Sequence, residues 1–109
     1  MKGANNKNIF CLETNSSNHK QIMEWVGEHG VSTFDLILID GNHSINQYFS
    51  DFFFAQHTEV GSIVLSHDSS FHSGPHTCFY AIDETIFEKK KYFQEIDLDW
   101  GISKIIRIK

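Results

Sequence analysis

The sequence predicts one small α/β domain over residues 1–109, a three-layer sandwich in which helices cover both faces of a mostly parallel five-stranded sheet. Two observations carry this prediction. Short apolar runs alternate with segments of helical periodicity in the order βαβαβαββ, which is typical of right-handed strand–helix–strand units. The runs at 34–40 and 61–68 are largely apolar and each is closed by an aspartate, the pattern of strands covered on both faces.

The N-terminal third predicts a strand, a helix and a second strand. Residues 8–12 (NIFCL) are typical of a short buried strand. The turn at 14–18 is rich in residues that cap helix N-termini, and the apolar residues after it recur at helical spacing up to Gly30, which can stop a helix. The run 34–40 (FDLILID) then forms the second strand.

The middle of the chain predicts a second helix and a third strand. Apolar residues from Ile45 to Phe53 fall at positions i, i+3, i+4, i+7 and i+8, which predict an amphipathic helix. Ser44 and Gln47, three residues apart, are placed to form a capping box at its start. The segment 61–68 (GSIVLSHD) is the third strand.

The C-terminal third predicts a loop at 69–76, a third helix over about 82–91, and two strands at 92–100 and 102–109. The expected order across the sheet is NIFCL, FDLILID, SIVLS, ISKIIRIK and YFQEIDL, with ISKIIRIK antiparallel to its neighbours. In this order the first strand closes the edge of the second, which would otherwise expose unpaired backbone groups on an apolar strand.

Charge and composition exclude several classes of protein. The formal charge is −5 and only nine residues are basic, so the electrostatic footprint of a nucleic-acid-binding protein is absent. No apolar run is long enough to span a membrane. Cys11 and Cys78 lie in apolar patterns outside any CxxC pair, which indicates reduced, buried thiols and a cytoplasmic protein.

Two carboxylates define the candidate site. Asp40 and Asp68 each follow an apolar strand directly, and ligands of open α/β sheets bind beyond the carboxyl ends of the strands. Each aspartate taken alone is better explained as a cap of the helix or turn that follows it. Their matching positions, with His43 and His67 beside them, favour a shared site, and His43 can equally be a general base or a residue packed over the helix N-terminus.

The segment FDLILIDGNHSINQYFSDFFFAQHTEVGSIVLSHDSS (34–70) resembles class I S-adenosylmethionine (SAM)-dependent methyltransferases. The resemblance rests on the IDGxHS turn, on Asp51 in the following helix, and on the later strand ending in HD, and it extends from about residue 8 to the C-terminus. It is strongest to O-methyltransferases of sugars, antibiotics and surface polysaccharides. The resemblance implies a Rossmann-like fold, SAM as cofactor, and methyl transfer to a hydroxyl of a small molecule or sugar.

The resemblance also implies roles for individual residues. Ser16 and Ser17 match a turn that borders the adenine of SAM, although a helix-capping role is the commoner explanation for serines in such a turn. Asp40 together with Gly41 belongs to the cofactor-binding turn, and so does His43, which stands where some members carry a catalytic base.

A metal site is implied as well. Asp40 and Asp68 match the acidic positions that hold Mg²⁺ in the metal-dependent O-methyltransferases, and Ser69 occupies the place of a third oxygen ligand.

The family's glycine-rich loop and the acid that binds the ribose have no counterpart before residue 8, so we expect an N-terminally truncated domain that is inactive alone. The alternative is a non-enzymatic interaction module whose open sheet edge pairs with a second copy or with a partner chain. A metallophosphoesterase, suggested by the GNH turn at 41–43, is a distant third, because the upstream Asp-x-His and the Gly-Asp pair of that class are missing.

Overall fold

The computed structural model describes residues 9–42, 44–69, 73–92 and 101–109. Three helices, one 3₁₀ helix and four strands occupy these residues. In chain order they are α1 (His19–Glu28), β1 (Phe34–Ile39), α2 (Ile45–Phe52), the 3₁₀ helix (Phe53–His57), β2 (Thr58–His67), α3 (Ser73–Ala81), β3 (Phe87–Tyr92) and β4 (Ile102–Arg107). None of the described helices is both long and apolar enough to cross a bilayer.

The four described strands form one mixed sheet in the order β1-β2-β4-β3. β1 and β2 are parallel, and β4 is antiparallel to both of its neighbours, as expected for ISKIIRIK. Of the three pairings between described strands only β1–β2 is therefore parallel. A fifth strand is not found among the described residues, and most of the segment predicted for it, 93–100, lies outside them.

The buried core lies on one face of the sheet, beneath α2 and α3. Its members come from these helices, from the strands and from the turns that join them: Ile39, Tyr48, Ala55, Val64, Cys78, Ile82, Phe87 and Ile105. The helix predicted from the apolar spacing at 45–53 is thereby confirmed as α2. Ser44 caps it by accepting a hydrogen bond from the backbone N–H of Gln47.

The opposite face of the sheet is largely uncovered. Leu36 and Leu38 of β1 are 59% and 67% exposed, and Val60 of β2 is exposed as well. The described residues therefore form two layers, and the predicted three-layer sandwich is not found in this part of the chain. The thiols also differ: Cys78 is buried as predicted, whereas Cys11 is exposed.

The predicted first strand is wrong for the residues that the structure describes. Residues 9–12 have no regular structure and pair with no strand. Phe10 packs instead against the His29 ring at the end of α1, with ring centroids 4.2 Å apart. β1 is consequently the edge of the described sheet.

The predicted third helix is also wrong, because α3 begins at Ser73, inside the expected loop, and ends at Ala81. Asp83 prevents its continuation, since the Asp83 side chain accepts hydrogen bonds from both the backbone N–H and the hydroxyl of Thr85. The chain reverses its direction in this turn, and β3 begins after it at Phe87.

The lysine run predicted to end that helix lies in β3. Lys89 and Lys91 alternate with Lys90, and their ammonium groups lie 4.7–5.0 Å from the centroid of the Phe79 ring on α3. Both ammonium groups also donate hydrogen bonds to main-chain carbonyls, Lys89 to that of Phe79 and Lys91 to that of Ser69.

Candidate functional site

The carboxyl ends of β1 and β2 bring three side chains together. Because Ile39 of β1 is in register with Ser66 of β2, Asp40 emerges beside His67. The His67 Nδ1 lies 2.9 Å from Asp68 Oδ1 and 3.4 Å from Asp40 Oδ1. One possible ligand atom can be chosen from each of the three residues so that all three atoms lie within 4.8 Å of one another. The structure thus juxtaposes the two aspartates, with an imidazole between them.

The backbone of Asp68 explains how two consecutive side chains reach the same place. Asp68 has a φ of 57°, in the left-handed region that aspartate tolerates better than most residues. The turn directs its carboxylate back toward His67 and sends the next residue into the core. Ser69 is fully buried and its hydroxyl donates to the Ser66 carbonyl and lies 3.0 Å from Ser103 Oγ. Ser69 therefore has a structural role and is not available as the third metal ligand.

A cleft of about 330 Å³ lies beside Asp40 at the same edge. Its polar lining comes from Ser16, Asp40, Gly41 and Asp51, and its apolar wall from 37–39 and Phe54. Gly41 lies close to Asp51: a β-carbon at this position would sit 3.4 Å from Asp51 Oδ2.

A hydrogen-bonded network holds the polar side of this cleft. The Ser16 hydroxyl donates to Asp51 Oδ1 at 2.5 Å. The Gln47 side-chain amide donates to the Ser16 hydroxyl and to Asp51 Oδ1, both at 2.9 Å. Asp51 is buried, so these donors compensate the loss of water around its carboxylate. The network ties the turn before α1 to α2 across 35 positions of sequence.

Ser17 is a predicted site residue that does not join this arrangement. The Ser17 backbone N–H and hydroxyl both donate to the Asn15 side chain, in an exposed turn outside the cleft. His43 lies outside the described residues. The N-cap of α1 is Asn18 rather than either serine.

Sequence reasoning missed three residues of the site. In the sequence His67 is only a neighbour of the two aspartates and has no role of its own, but its side chain is 46% exposed and contacts both of them. Gln47 was read only as half of a capping box, and Asp51 only as part of a family motif. Their spacing of four on a helix placed them on one face, which is the signal that could have paired them.

The donor groups fit part of each implied ligand. Serine and amide groups beside a carboxylate suit one polar edge of a nucleobase, but among the described residues no backbone loop is placed to hold the amino-acid end of SAM. Metal–oxygen and metal–nitrogen distances are roughly 2.0–2.2 Å, so donor atoms around one ion lie within about 4.4 Å of each other. The 4.8 Å spread at Asp40, His67 and Asp68 needs only a small rearrangement to meet this.

The described residues form a small α/β domain around a four-stranded mixed sheet. The fold is similar to that of the O-methyltransferase TomG from Streptomyces achromogenes, involved in tomaymycin synthesis and solved in complex with SAM, with a TM-score of 0.51 and 14% sequence identity. The similarity covers 84% of this chain but 48% of TomG, so the chain spans about half of that structure. The sequence matches no protein-family model and no curated protein.

Proposed function

We propose that this domain is part of a SAM-dependent methyltransferase that transfers a methyl group to a hydroxyl of a small molecule or sugar, and that it acts only when further polypeptide completes the cofactor site. The observation that carries the proposal is the carboxyl-edge arrangement of Asp40, His67 and Asp68 beside the Ser16–Asp51 cleft. Parallel strand ends are where ligands bind in open α/β sheets. A methyltransferase-like fold makes SAM the ligand to test first.

In this proposal the cleft holds the adenine side of the cofactor. The Ser16 hydroxyl oxygen and Asp51 Oδ2 can accept hydrogen bonds from the amino group of a purine edge, while the present bonds to Asp51 Oδ1 are kept. SAM supplies a methyl group on a sulfonium centre. The rest of its contacts must come from outside the described residues, and each missing charge-assisted hydrogen bond weakens binding by roughly 1.5–3 kcal/mol. We therefore expect the chain alone to bind SAM no better than about millimolar.

The acceptor side of the site needs a group that takes up the proton of the hydroxyl. His43 and Asp40 are the proposed residues, as the resemblance implies. His67 adds a second candidate, because Asp68 and Asp40 lie at Nδ1 and orient the ring. With its proton on Nδ1, His67 can accept one at Nε2.

The cofactor proposal is tested by nuclear magnetic resonance of the ¹⁵N-labelled chain with S-adenosylhomocysteine at up to about 10 mM, since binding is expected near millimolar. The amides of Ser16, Gly41 and Asp51 should shift. Ser16→Ala should abolish the shifts, whereas Ser17→Ala, the matched control one residue away, should keep them. Absence of shifts at these amides would refute the adenine assignment, and a low-micromolar dissociation constant would refute the need for completion.

The aspartates and His67 are proposed to bind a divalent ion that orients the acceptor hydroxyl. Two carboxylates and an imidazole suit Mn²⁺ or Zn²⁺ better than the Mg²⁺ that the resemblance implies. Metal binding and proton donation by His67 Nδ1 exclude each other, because both use the same nitrogen.

Paramagnetic broadening by Mn²⁺ tests the metal proposal. The amides of 40, 67 and 68 should broaden first, and Zn²⁺ should reverse the effect at lower concentration than Mg²⁺ does. Asp68→Asn, which keeps a residue that tolerates the left-handed backbone, should remove the effect. Asp83→Asn, an exposed aspartate remote in sequence from the site, serves as the control. Broadening that survives Asp68→Asn would assign the ion to another place.

A further inference from the structure

β1 has the sequence of an interior strand but the position of an edge strand. Ile37 and Ile39 point toward the helices, and Ile39 is buried in the core. Leu36 and Leu38 point to the other face and are exposed. A strand that is apolar on both sides is typical of a sheet covered on both faces. Exposed edge strands usually carry lysine, proline or inward-pointing charge against unwanted pairing; β1 has one charged residue, the exposed Asp35 near its start, and residues 36–39 carry none.

The uncovered face changes character across the sheet. The strand registers define two rows of side chains on this face, each running from β1 to β3: Leu36, Ile63, Ile106 and Glu88 in one, and Leu38, Leu65, Lys104 and Lys90 in the other. Both rows are apolar on β1 and β2 and charged on β3. On this face, the half formed by β1 and β2 therefore has the apolar composition of a buried surface, and this half lies beside the open edge.

A groove continues this surface around the edge. It has a volume of about 300 Å³ and lies between Ile22 and Val26 of α1 and the β1 side chains Phe34 and Leu36, with Phe54 at its floor. The apolar rows, the groove and the backbone edge of β1, which pairs with no other described strand, are thus contiguous. We call this combination, residues 34–39 with Ile22, Val26, Ile63 and Leu65, the β1 surface.

A second copy of the chain covers only part of the β1 surface. Two-fold pairing of β1 with β1 extends the sheet in its own plane and leaves the apolar rows bare. Face-to-face stacking of two sheets covers the rows and leaves both edges unpaired. A strand followed or preceded by an amphipathic helix covers edge and face together. The TomG structure contains about twice the length matched by this chain, which is enough additional polypeptide for such elements.

We propose that the β1 surface is a docking site for a strand-and-helix segment of another polypeptide. The strand adds to the sheet beside β1 by backbone hydrogen bonding. The helix lays its apolar face on the rows that begin at Leu36 and Leu38. This proposal does not depend on methyl transfer, because it rests on the pattern of the sheet and on the additional length of the TomG structure.

The test uses the full chain as bait for phage that display fragments of the source organism's own proteins. Enriched fragments are sequenced, synthesised and titrated by calorimetry against the chain and two double variants. Leu36→Lys/Leu38→Lys changes two exposed side chains and leaves the core residues Ile37 and Ile39 intact. Glu88→Lys/Lys90→Glu changes the far half of the same face and preserves net charge. Circular dichroism establishes that each variant is folded.

Support requires that the enriched fragments encode a strand and an amphipathic helix. Their affinity for the leucine variant must be at least about tenfold lower than for the parent chain, and their affinity for the control variant must be unchanged. Amide hydrogen exchange at 34–39 must also slow on binding, since this distinguishes strand addition from contact with the face alone. The proposal is overturned if no fragment is enriched, if the leucine variant binds equally well, or if 34–39 stay unprotected. It is also overturned if sedimentation finds a dimer that the leucine variant dissociates, because the occupant is then a second copy.

Discussion

A buried tyrosine–serine pair supports the strand end that carries the site. Tyr48 of α2 is 2% exposed, and its hydroxyl is hydrogen-bonded to that of Ser66, which is fully buried in β2 one residue before His67. Burial raises the pKa of Tyr48 to about 12, so the phenol is neutral at physiological pH. Tyr48→Phe keeps the ring and removes the oxygen. It leaves the Ser66 hydroxyl desolvated without this partner, which costs about 1–3 kcal/mol.

The double variant separates the hydrogen bond from the ring packing. Ser66→Ala in the Tyr48→Phe background removes the Ser66 hydroxyl that Tyr48→Phe leaves without its partner. The loss in free energy of unfolding should therefore be smaller for Tyr48→Phe/Ser66→Ala than the sum of the losses for the two single variants. We expect a coupling free energy of about 1 kcal/mol or more. For a chain of this length about 1 kcal/mol corresponds to a fall in Tm of roughly 4–8 °C.

Urea unfolding followed by circular dichroism at pH 7 measures these differences. Tyr80→Phe is the matched control. Because Tyr80 of α3 is 65% exposed, this substitution should change the free energy of unfolding by less than about 0.5 kcal/mol. If Tyr48→Phe is as stable as the parent, or if the two single effects simply add, the hydroxyl pair does not hold β2 against α2.

Two further features give predictions of their own. Near pH 8 a thiol reagent should modify exposed Cys11 quickly and buried Cys78 only on unfolding, which rate measurements with Cys11→Ser and Cys78→Ser would reveal. Desolvation raises the pKa of the Cys78 thiol from 9.0 to about 12, so the unfolded chain loses the thiol proton at lower pH than the folded chain does. The free energy of unfolding should therefore fall as pH rises from about 9 toward 12. In alkaline denaturation, Cys78→Ala should make this fall less steep. Gly61 has a φ of 95°, so Gly61→Ala should cost about 1–2 kcal/mol through backbone strain. Gly27→Ala, within α1 with open space around it, should instead gain roughly 0.5–1 kcal/mol, and equal melting temperatures for the two would contradict the strain argument.

Local periodicity predicts the elements whose own apolar residues pack against the core. β1, α2 and β4 lie where the apolar spacing predicts them, because each packs against the core with its own apolar residues. β3 was missed because its pattern is completed by another element. In FEKKKY the lysines alternate as a strand requires, but Lys89 and Lys91 cover the Phe79 ring of α3, a contact that no window of sequence contains.

The candidate site divides in the same way. Asp40 and Asp68 were predicted to be neighbours because parallel strands end at the same edge, a relation that topology alone determines. Which adjacent side chains turn toward them depends on single dihedral angles. The left-handed backbone at Asp68 brings His67 into the cluster and buries Ser69, and neither outcome follows from residue type.

The open edge of β1 follows from two attachments of the N-terminal segment rather than from a shortage of chain. At one end Ser16 is hydrogen-bonded to Asp51 beside the carboxyl edge of the sheet, and at the other Phe10 packs against the tilted ring of His29 at the far end of α1. Six extended residues span roughly 20 Å, and the ten residues of α1 span about 15 Å. The segment between the two attachments is therefore long enough to run back along α1, and it ends there instead of beside β1. A strand at 8–12 would have to give up the contact between Phe10 and His29 to reach β1. The chain's own apolar run thus stabilises the helix that borders the edge, and within the described part of the chain no strand is placed beside β1.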